Sequence, residues 1–313
     1  MTGTAVLLIL ISSVTHAGWN LLGKSHRASP AGFVIANLAG AALLLPFALS
    51  FGSIVRAIPA EVWLLLFLTG LFQTIYYASL AAAYRRGDMS VVYPLVRSIP
   101  IVLVTAVSLV LGRGSAISGL NLCGFVLIVA GAFLLPLQSF RGLSFNRYLG
   151  AWLPFALLAA AGTAGYSIVD SDSLHILRRI VEAITSAPQS PATIQAPWQA
   201  ALVYSFFESL TSTIWLAVVL VPTRTGRQSL RGAFRGAELR GSALMGVGIY
   251  LTYTLVLISM GFVSDISYVV AFRQLSIPIG VTLGIMVLKE PPRLPRIVAA
   301  AVMVAGLALS AVG

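Results

Sequence analysis

One nine-residue stretch of this chain, Tyr93-Pro94-Leu95-Val96-Arg97-Ser98-Ile99-Pro100-Ile101, has an echo at Ala271-Phe272-Arg273-Gln274-Leu275-Ser276-Ile277-Pro278-Ile279. Both stretches contain Ser-Ile-Pro-Ile, both lie inside a long apolar run, and both carry an arginine before the proline. A charge at membrane depth costs about 2.5–3.5 kcal/mol, so such an arginine usually faces a cavity or a partner. Two of them in corresponding segments predict a solvent-filled path between two halves of a duplicated chain.

The composition is that of a membrane protein. The 313 residues are 58% hydrophobic and 9% charged, whereas soluble domains have about 25% charged residues. The net charge of +11 would favour nucleic-acid binding in a soluble protein. Here the basic residues lie in short connections between apolar runs, as the positive-inside rule requires. We therefore predict no nucleic-acid partner and place the chain in the lipid bilayer of the cytoplasmic (inner) membrane.

Ten apolar runs are long enough to cross a membrane as α-helices. They lie at about 4–22, 31–51, 62–84, 89–111, 118–138, 148–169, 198–221, 239–260, 264–288 and 295–312. Only helices satisfy their own backbone hydrogen bonds in lipid, and the two-residue alternation of a membrane barrel does not occur in this sequence. The predicted fold class is an all-α membrane protein with ten transmembrane helices.

Three short matches in the same order divide the chain into two five-helix repeats. Besides the Ser-Ile-Pro-Ile pair, His16-Ala17-Gly18-Trp19-Asn20 corresponds to Thr163-Ala164-Gly165-Tyr166-Ser167, and Val129-Ala130-Gly131 to Val304-Ala305-Gly306. The first repeat is expected over residues 1–140 and the second over 141–313, with a long loop at 170–197. An odd number of helices per repeat inverts the second copy, which is the plan of many secondary transporters.

The distribution of basic residues predicts the orientation. Connections 1–2, 3–4, 5–6, 7–8 and 9–10 hold fourteen lysines and arginines, and the alternate connections hold four. By the positive-inside rule the first set is cytoplasmic, so both termini lie outside. The 170–197 loop, which contains Pro188, Pro191 and Pro197 and has room for a short helix at 174–184, is then external.

Three motifs carry a resemblance to a known family. They are Thr15-His16-Ala17-Gly18-Trp19-Asn20, Ala83-Tyr84-Arg85-Arg86-Gly87-Asp88-Met89-Ser90-Val91-Val92-Tyr93-Pro94, and Leu288-Lys289-Glu290. In these residues, and over nearly the whole chain, the protein resembles the EamA branch of the drug/metabolite transporter superfamily. The resemblance implies two inverted EamA repeats around a central cavity that moves small polar metabolites, frequently as an exporter.

The sequence departs from that family in three places. Gly112-Arg113 stands in the first repeat where the second repeat has the family's glutamate, Glu290. The 170–197 connection is longer than the usual turn. Several relatives have both termini inside, whereas the charge count here favours the outside.

Arg97 and Arg273 are the leading candidates for substrate binding. Pro94 and Pro100 flank Arg97, and a proline removes a backbone hydrogen bond, so that helix is expected to be kinked or locally unwound. Guanidinium groups that face a cavity bind carboxylate or phosphate by their fork geometry, which favours an organic anion as substrate. The alternative is an internal ion pair with a carboxylate such as Glu208, or snorkelling to the surface.

Other polar and aromatic side chains share helix faces and are candidates for lining the same cavity. His16 and Asn20 lie one turn apart, as do Gln73 and Tyr77. Their alternative role is interhelical contact or packing. The full set of substrate-binding candidates is Arg97, Arg273, Tyr93, His16, Asn20, Gln73, Tyr77, Tyr166 and Gln274.

Glu208 is the one carboxylate that the sequence places in the middle of a predicted helix, and it is the candidate for coupling transport to protons or another ion. Asp170, Asp265 and Glu290 fall at predicted helix ends, where capping or loop solvation is the expected role.

These features predict a secondary transporter of a small polar metabolite that works by alternating access. The chain has no nucleotide-binding G-x-x-x-x-G-K-[ST] motif and no metal-ligand spacing among its histidines, so no cofactor, metal or enzymatic activity is predicted. A membrane-embedded enzyme acting on a lipid headgroup is the alternative, and it would need acidic or histidine residues clustered at one interface. A channel is a third option, which saturable counterflow would exclude. One chain supplies both halves, so a monomer suffices, and a homodimer remains open.

Overall fold

The computed structural model describes residues 2–22, 29–87, 89–137, 139–140, 149–185, 196–287, 289 and 291–312. Within these ranges the chain is built from α-helices joined by turns and short 3-10 segments, and no strand occurs among them. The all-α prediction is confirmed.

Each of the ten apolar runs corresponds to a helix or to a pair of consecutive helices. The helices are α1 (Gly3–Leu22), α2 (Pro30–Ser50), α3 (Gly52–Arg56), α4 (Ala60–Tyr84), α5 (Met89–Val110), α6 (Gly119–Leu134), α7 (Leu153–Thr185), α8 (Ala196–Leu220), α9 (Arg224–Ala233), α10 (Gly236–Ser259), α11 (Ile266–Phe272), α12 (Ser276–Met286) and α13 (Leu294–Val312). In the described part of the chain, eight segments are long and apolar enough to cross a membrane, and α1 and α6 contribute shorter apolar helices. The chain is therefore a multi-pass membrane protein.

Side-chain caps fix several helix starts. Ser29 accepts a hydrogen bond from the backbone N–H of Gly32 and precedes Pro30 at the first position of α2, and Ser118 forms a capping box with Asn121 at α6. Such caps satisfy the N–H groups that a helix leaves unpaired at its first turn. Asp265 accepts from the backbone N–H of Ser267 at the start of α11, which confirms its predicted capping role. Glu290 lies outside the described residues.

The prediction of a loop from residue 170 is wrong, because α7 continues without a break to Thr185. Asp170, Leu174, Leu177 and Val181 recur every three or four residues and are all fully buried. This periodicity gives the continuation one inward face, and burial of that face stabilises it as a helix. The 33 residues of α7 span about 50 Å at 1.5 Å per residue, more than the bilayer core requires.

The two proline-containing echoes fold differently. α5 remains helical through both Pro94 and Pro100, so the unwinding expected there does not occur. In the second copy, α11 ends at Phe272, residues Arg273–Leu275 form a 3-10 turn, and α12 begins at Ser276. The break thus falls on Arg273, five residues before Pro278. Because Pro278 has no backbone N–H, it cannot donate a hydrogen bond to the preceding turn.

The bundle is held together by helix pairs from different parts of the chain. The largest contacts join α4 to α7 and α8, α2 to α8 and α10, α6 to α13, α1 to α10 and α12, and α5 to α7. α7 approaches α4 so closely that a Cβ at Gly162 would lie 2.8 Å from the carbonyl oxygen of Phe72. These contacts leave a polar interior between α4, α5, α7, α8 and α10.

Candidate functional site

The two echo stretches touch each other at their arginines. The Arg97 guanidinium donates from Nη2 to the carbonyl oxygen of Arg273, 3.2 Å away, and to Oγ of Ser276, 3.3 Å away. In return, Nε2 of Gln274 donates to the carbonyl oxygen of Arg97 over 2.8 Å. The Arg273 carbonyl also accepts hydrogen bonds from the backbone N–H and the Oγ of Ser276, so the 3-10 turn and Arg97 share it.

Tyrosines surround the Arg273 side chain. Its guanidinium carbon lies 5.2 Å from the ring centre of Tyr253, a cation–π distance. The Tyr166 ring meets the Tyr253 ring edge-to-face at 5.8 Å and the Tyr76 ring at 6.0 Å. Both arginines are only partly buried, and His16 lies within electrostatic range of both. We call Arg97, Arg273, Tyr76, Tyr166, Tyr253 and His16 the arginine site.

Asp170 lies next to this site and accepts three hydrogen bonds from hydroxyl groups. Thr69 donates to its Oδ1 at 2.5 Å, Tyr204 donates to the same oxygen at 2.8 Å, and Tyr253 donates to Oδ2 at 2.5 Å. The donors come from α4, α8 and α10, and the carboxyl from α7. A fully buried carboxyl is tolerated in an apolar interior only when such donors satisfy it.

Glu208 forms the second half of the same polar interior. Its Oε1 accepts a short hydrogen bond from Nε2 of Gln73, whose own Oε1 accepts from Ser212 at 2.5 Å. Thr69 and Gln73 lie one turn apart on α4, so α4 presents one donor to each carboxyl. Asp170, Glu208 and these partners are called the carboxyl cluster, with members Thr69, Gln73, Asp170, Tyr204, Glu208, Ser212 and Tyr253.

The candidates predicted from sequence fall into separate groups. Arg97, Arg273, Tyr166, His16 and Gln274 come together around the arginine site. Gln73 and Glu208 belong to the carboxyl cluster. Among the described residues neither Arg97 nor Arg273 forms a salt bridge with Glu208; the ion pair between Arg113 and Asp172 lies elsewhere, at an exposed position.

Tyr77, Tyr93 and Asn20 are the remaining candidates. Tyr77 is buried and stacks on Phe33 at 4.2 Å. Tyr93 is partly buried and packs against the apolar core. Asn20 lies in α1, but its side chain is outside the described residues.

The residues predicted from sequence did not include Asp170, Thr69, Tyr204 or Tyr253 as members of a site. Asp170 was assigned to a helix end, where a carboxylate is unremarkable. A usable signal existed, since Tyr166, Asp170 and Leu174 follow one another at four-residue spacing and predict one continuous helix face. Which groups meet that face depends on contacts with α8 and α10.

The arrangement offers anion binding beside groups that can hold a proton. Two partly buried guanidinium groups suit a carboxylate or phosphate. Within the described ranges no three metal-ligating residues come together.

The described helices define the class of protein as an all-helical, multi-pass membrane protein. Residues 3–137 match the EamA-like transporter family, which is part of the drug/metabolite transporter superfamily, and this confirms the resemblance for the two motifs that lie in that part of the chain. The first part of the chain is therefore similar to the EamA-like transporters.

One solved structure, described only as "Crystal structure of protein", shares the fold over the whole length. Its TM-score is 0.68 at 16% sequence identity, with 100% of this chain and 98% of that chain covered. At this identity the likeness concerns the fold alone. No curated protein matches the chain.

Proposed function

We propose that this protein is a secondary-active transporter of a small organic anion that works by alternating access, with export as the direction that the family resemblance implies. The observation that carries the proposal is the pair Arg97 and Arg273. These two cations are partly buried inside a membrane bundle and contact each other through the Arg273 backbone and Ser276. Among the described residues neither forms a direct salt bridge with a carboxylate. A partly buried cation without a direct ion pair is costly, and an anionic substrate would relieve that cost.

Two inverted five-helix repeats and ten membrane crossings are part of this proposal. With α1, α2, α4, α5 and α6 matched to α7, α8, α10, α11–α12 and α13, the helix contacts are paired. The α1–α10 contact corresponds to α7–α4, α2–α10 to α8–α4, and α1–α12 to α7–α5. A pseudo-two-fold axis between repeats would generate these equivalences, and it would pass near the arginine site.

The proposed mechanism uses the break at Arg273 as a gate. A helix interrupted by a 3-10 turn can change direction with little loss of hydrogen bonding, as discontinuous helices of transporters do. Two hydrogen bonds, from Gln274 to the Arg97 carbonyl and from Arg97 to the Arg273 carbonyl, join α5 to the chain at this break. An anion bound between the guanidinium groups would replace them.

Ligand binding tests the proposal most directly. The purified protein would be heated with amino acids, organic acids, phosphorylated compounds, phosphonates and cationic dyes. A ligand that binds the folded state at a hundredfold excess over Kd stabilises it by about 2.7 kcal/mol. We expect anions to raise Tm, and Arg97→Gln and Arg273→Gln to abolish the effect.

The matched control is Arg113→Gln, because Arg113 is an exposed arginine in a surface ion pair. It should leave anion stabilisation intact. The same variants would then be assayed for counterflow of the identified anion in proteoliposomes. Normal transport by both Arg97→Gln and Arg273→Gln would contradict the proposal, and stabilisation by cations alone would make the arginines structural. Counterflow by the native protein also separates a carrier from a channel.

A further inference from the structure

The two carboxyl groups of the carboxyl cluster are both fully buried but are satisfied unequally. Asp170 accepts hydrogen bonds from three hydroxyl groups, which reach both of its oxygens. Glu208 accepts one bond at Oε1, and its Oε2 is buried without a partner in the described part of the chain. An unsatisfied carboxylate oxygen in an apolar interior is costly, whereas a neutral carboxyl is much less so. Glu208 is thus the member suited to gaining and losing a proton.

Tyr253 connects this cluster to the arginine site. Its hydroxyl donates to Asp170, and the face of its ring carries the Arg273 guanidinium. Arg273 lies within electrostatic range of both Asp170 and Glu208, and the two carboxyls lie within range of each other. A change in charge beside Arg273 therefore changes the electrostatic energy of a carboxylate at Glu208.

We propose that Glu208 is a proton-binding site whose occupancy is linked, through Tyr253 and Asp170, to anion binding at Arg273. This inference rests on the anion site proposed above and adds the coupling ion and the sign of the coupling. The proton comes from hydronium in the aqueous phase, which is left as water, and bonds to Oε2 of the Glu208 carboxylate.

The sign of the linkage follows from charge. With the site empty, Arg273 is the cation that stabilises negative charge on the two carboxyls. A bound anion neutralises part of that positive charge, so a carboxylate at Glu208 becomes less favourable and the neutral form is preferred. By reciprocity, protonation of Glu208 leaves Arg273 freer to hold the anion. Anion and proton then bind together, and the net direction of transport follows their combined gradients.

Other titratable groups face Glu208 and have to be separated from it. They are Tyr77 on α4, Asp170 on α7, Tyr204 on its own helix α8, Tyr250 and Tyr253 on α10, and Arg273 after α11. His16 lies near both arginines, and an imidazole ordinarily titrates near neutral pH. It is the main competitor as the proton site.

Sulfate is a suitable probe because it keeps its double charge across the pH range used. The apparent Kd of sulfate for the full-length protein would be read from the dose dependence of Tm, with chloride at matched ionic strength as the reference. Sulfate also stabilises proteins by exclusion, so Arg273→Gln sets the non-specific baseline. We expect Kd at about pH 5.5 to be roughly fivefold or more below Kd at about pH 7.5, the low end for coupled sites.

Glu208→Gln should keep sulfate binding but abolish its pH dependence, since glutamine mimics the neutral carboxyl. Tyr253→Phe should weaken the pH dependence, because it keeps the ring over Arg273 and removes only the hydroxyl bond to Asp170. If Glu208→Gln does not fold, the pH dependence of sulfate binding by Tyr253→Phe tests the proposal instead. His16→Gln should retain the pH dependence.

The same measurements distinguish a failure of the proton linkage from a failure of the anion site. If sulfate binds equally well at both pH values, or if Glu208→Gln keeps the pH dependence while His16→Gln loses it, the linkage is overturned and the anion site stands. If sulfate stabilises the native protein no more than it stabilises Arg273→Gln, the anion site and the linkage fall together.

Discussion

At the scale of single residues, Asp170 joins four helices through one side chain. Its carboxyl group on α7 receives hydroxyl donors from α4, α8 and α10 at 2.5–2.8 Å. None of these donors is close to it in sequence. The loss of one charged acceptor is therefore expected to loosen contacts between several helices.

Asp170→Asn should destabilise the protein by about 1–3 kcal/mol, because the new amide N–H₂ points a donor at hydroxyl donors and leaves them unpaired. Thermal unfolding of the detergent-solubilised protein measures the loss. Asp172→Asn is the control: this neighbour forms an ion pair with Arg113 in which the side chains are 40% and 52% exposed. Such a surface pair is worth at most about 1 kcal/mol. Equal effects of the two substitutions would contradict a special role for Asp170.

At the scale of helices, close contact between α4 and α7 positions the carboxyl cluster. Thr69 reaches Asp170 on α7, which the α4 backbone approaches closely at Gly162, whereas Gln73 reaches Glu208 on α8. Small residues permit this approach, and in a bilayer it is a main source of helix association because water does not drive apolar surfaces together.

Gly162→Ala should lower Tm and weaken any ligand stabilisation, because the added Cβ would lie 2.8–2.9 Å from α4 backbone atoms that cannot move aside individually. Overpacking of this kind costs about 1–3 kcal/mol. Gly280→Ala in α12 is a matched control, since its Cβ would have no neighbour within 4 Å. It should leave Tm unchanged or raise it slightly, because alanine favours the helix by about 0.5–1 kcal/mol. A Gly162→Ala variant as stable as Gly280→Ala would show that the contact is not tight.

At the scale of the whole molecule, charge and helix order predict one orientation in the membrane. The amphipathic helix α9 and the arginines around it lie in the connection that we expect on the cytoplasmic side, and α3 lies in one that we expect outside. Arg231 and Ser53 are exposed in these two connections and report on the two sides.

We expect an impermeant maleimide to label Ser53→Cys in intact cells and Arg231→Cys only after permeabilisation. Both would be made in a Cys123→Ser background, because the native cysteine is exposed. The reverse pattern would invert the orientation and place both termini inside, and labelling of both positions in intact cells would contradict the proposed topology.

Composition, hydropathy and charge bias suffice to establish an all-helical membrane protein, the positions of its apolar helices and the paired arginines Arg97 and Arg273. These properties are local, since a helix in lipid satisfies its own hydrogen bonds. The partners of each side chain depend on which helix faces meet. Tertiary structure alone brings Asp170 together with Tyr253, joins Gln73 to Glu208, and breaks the helix at Arg273 while α5 stays continuous. A buried carboxyl at a position that resembles a helix end becomes meaningful only when three distant hydroxyl groups converge on it.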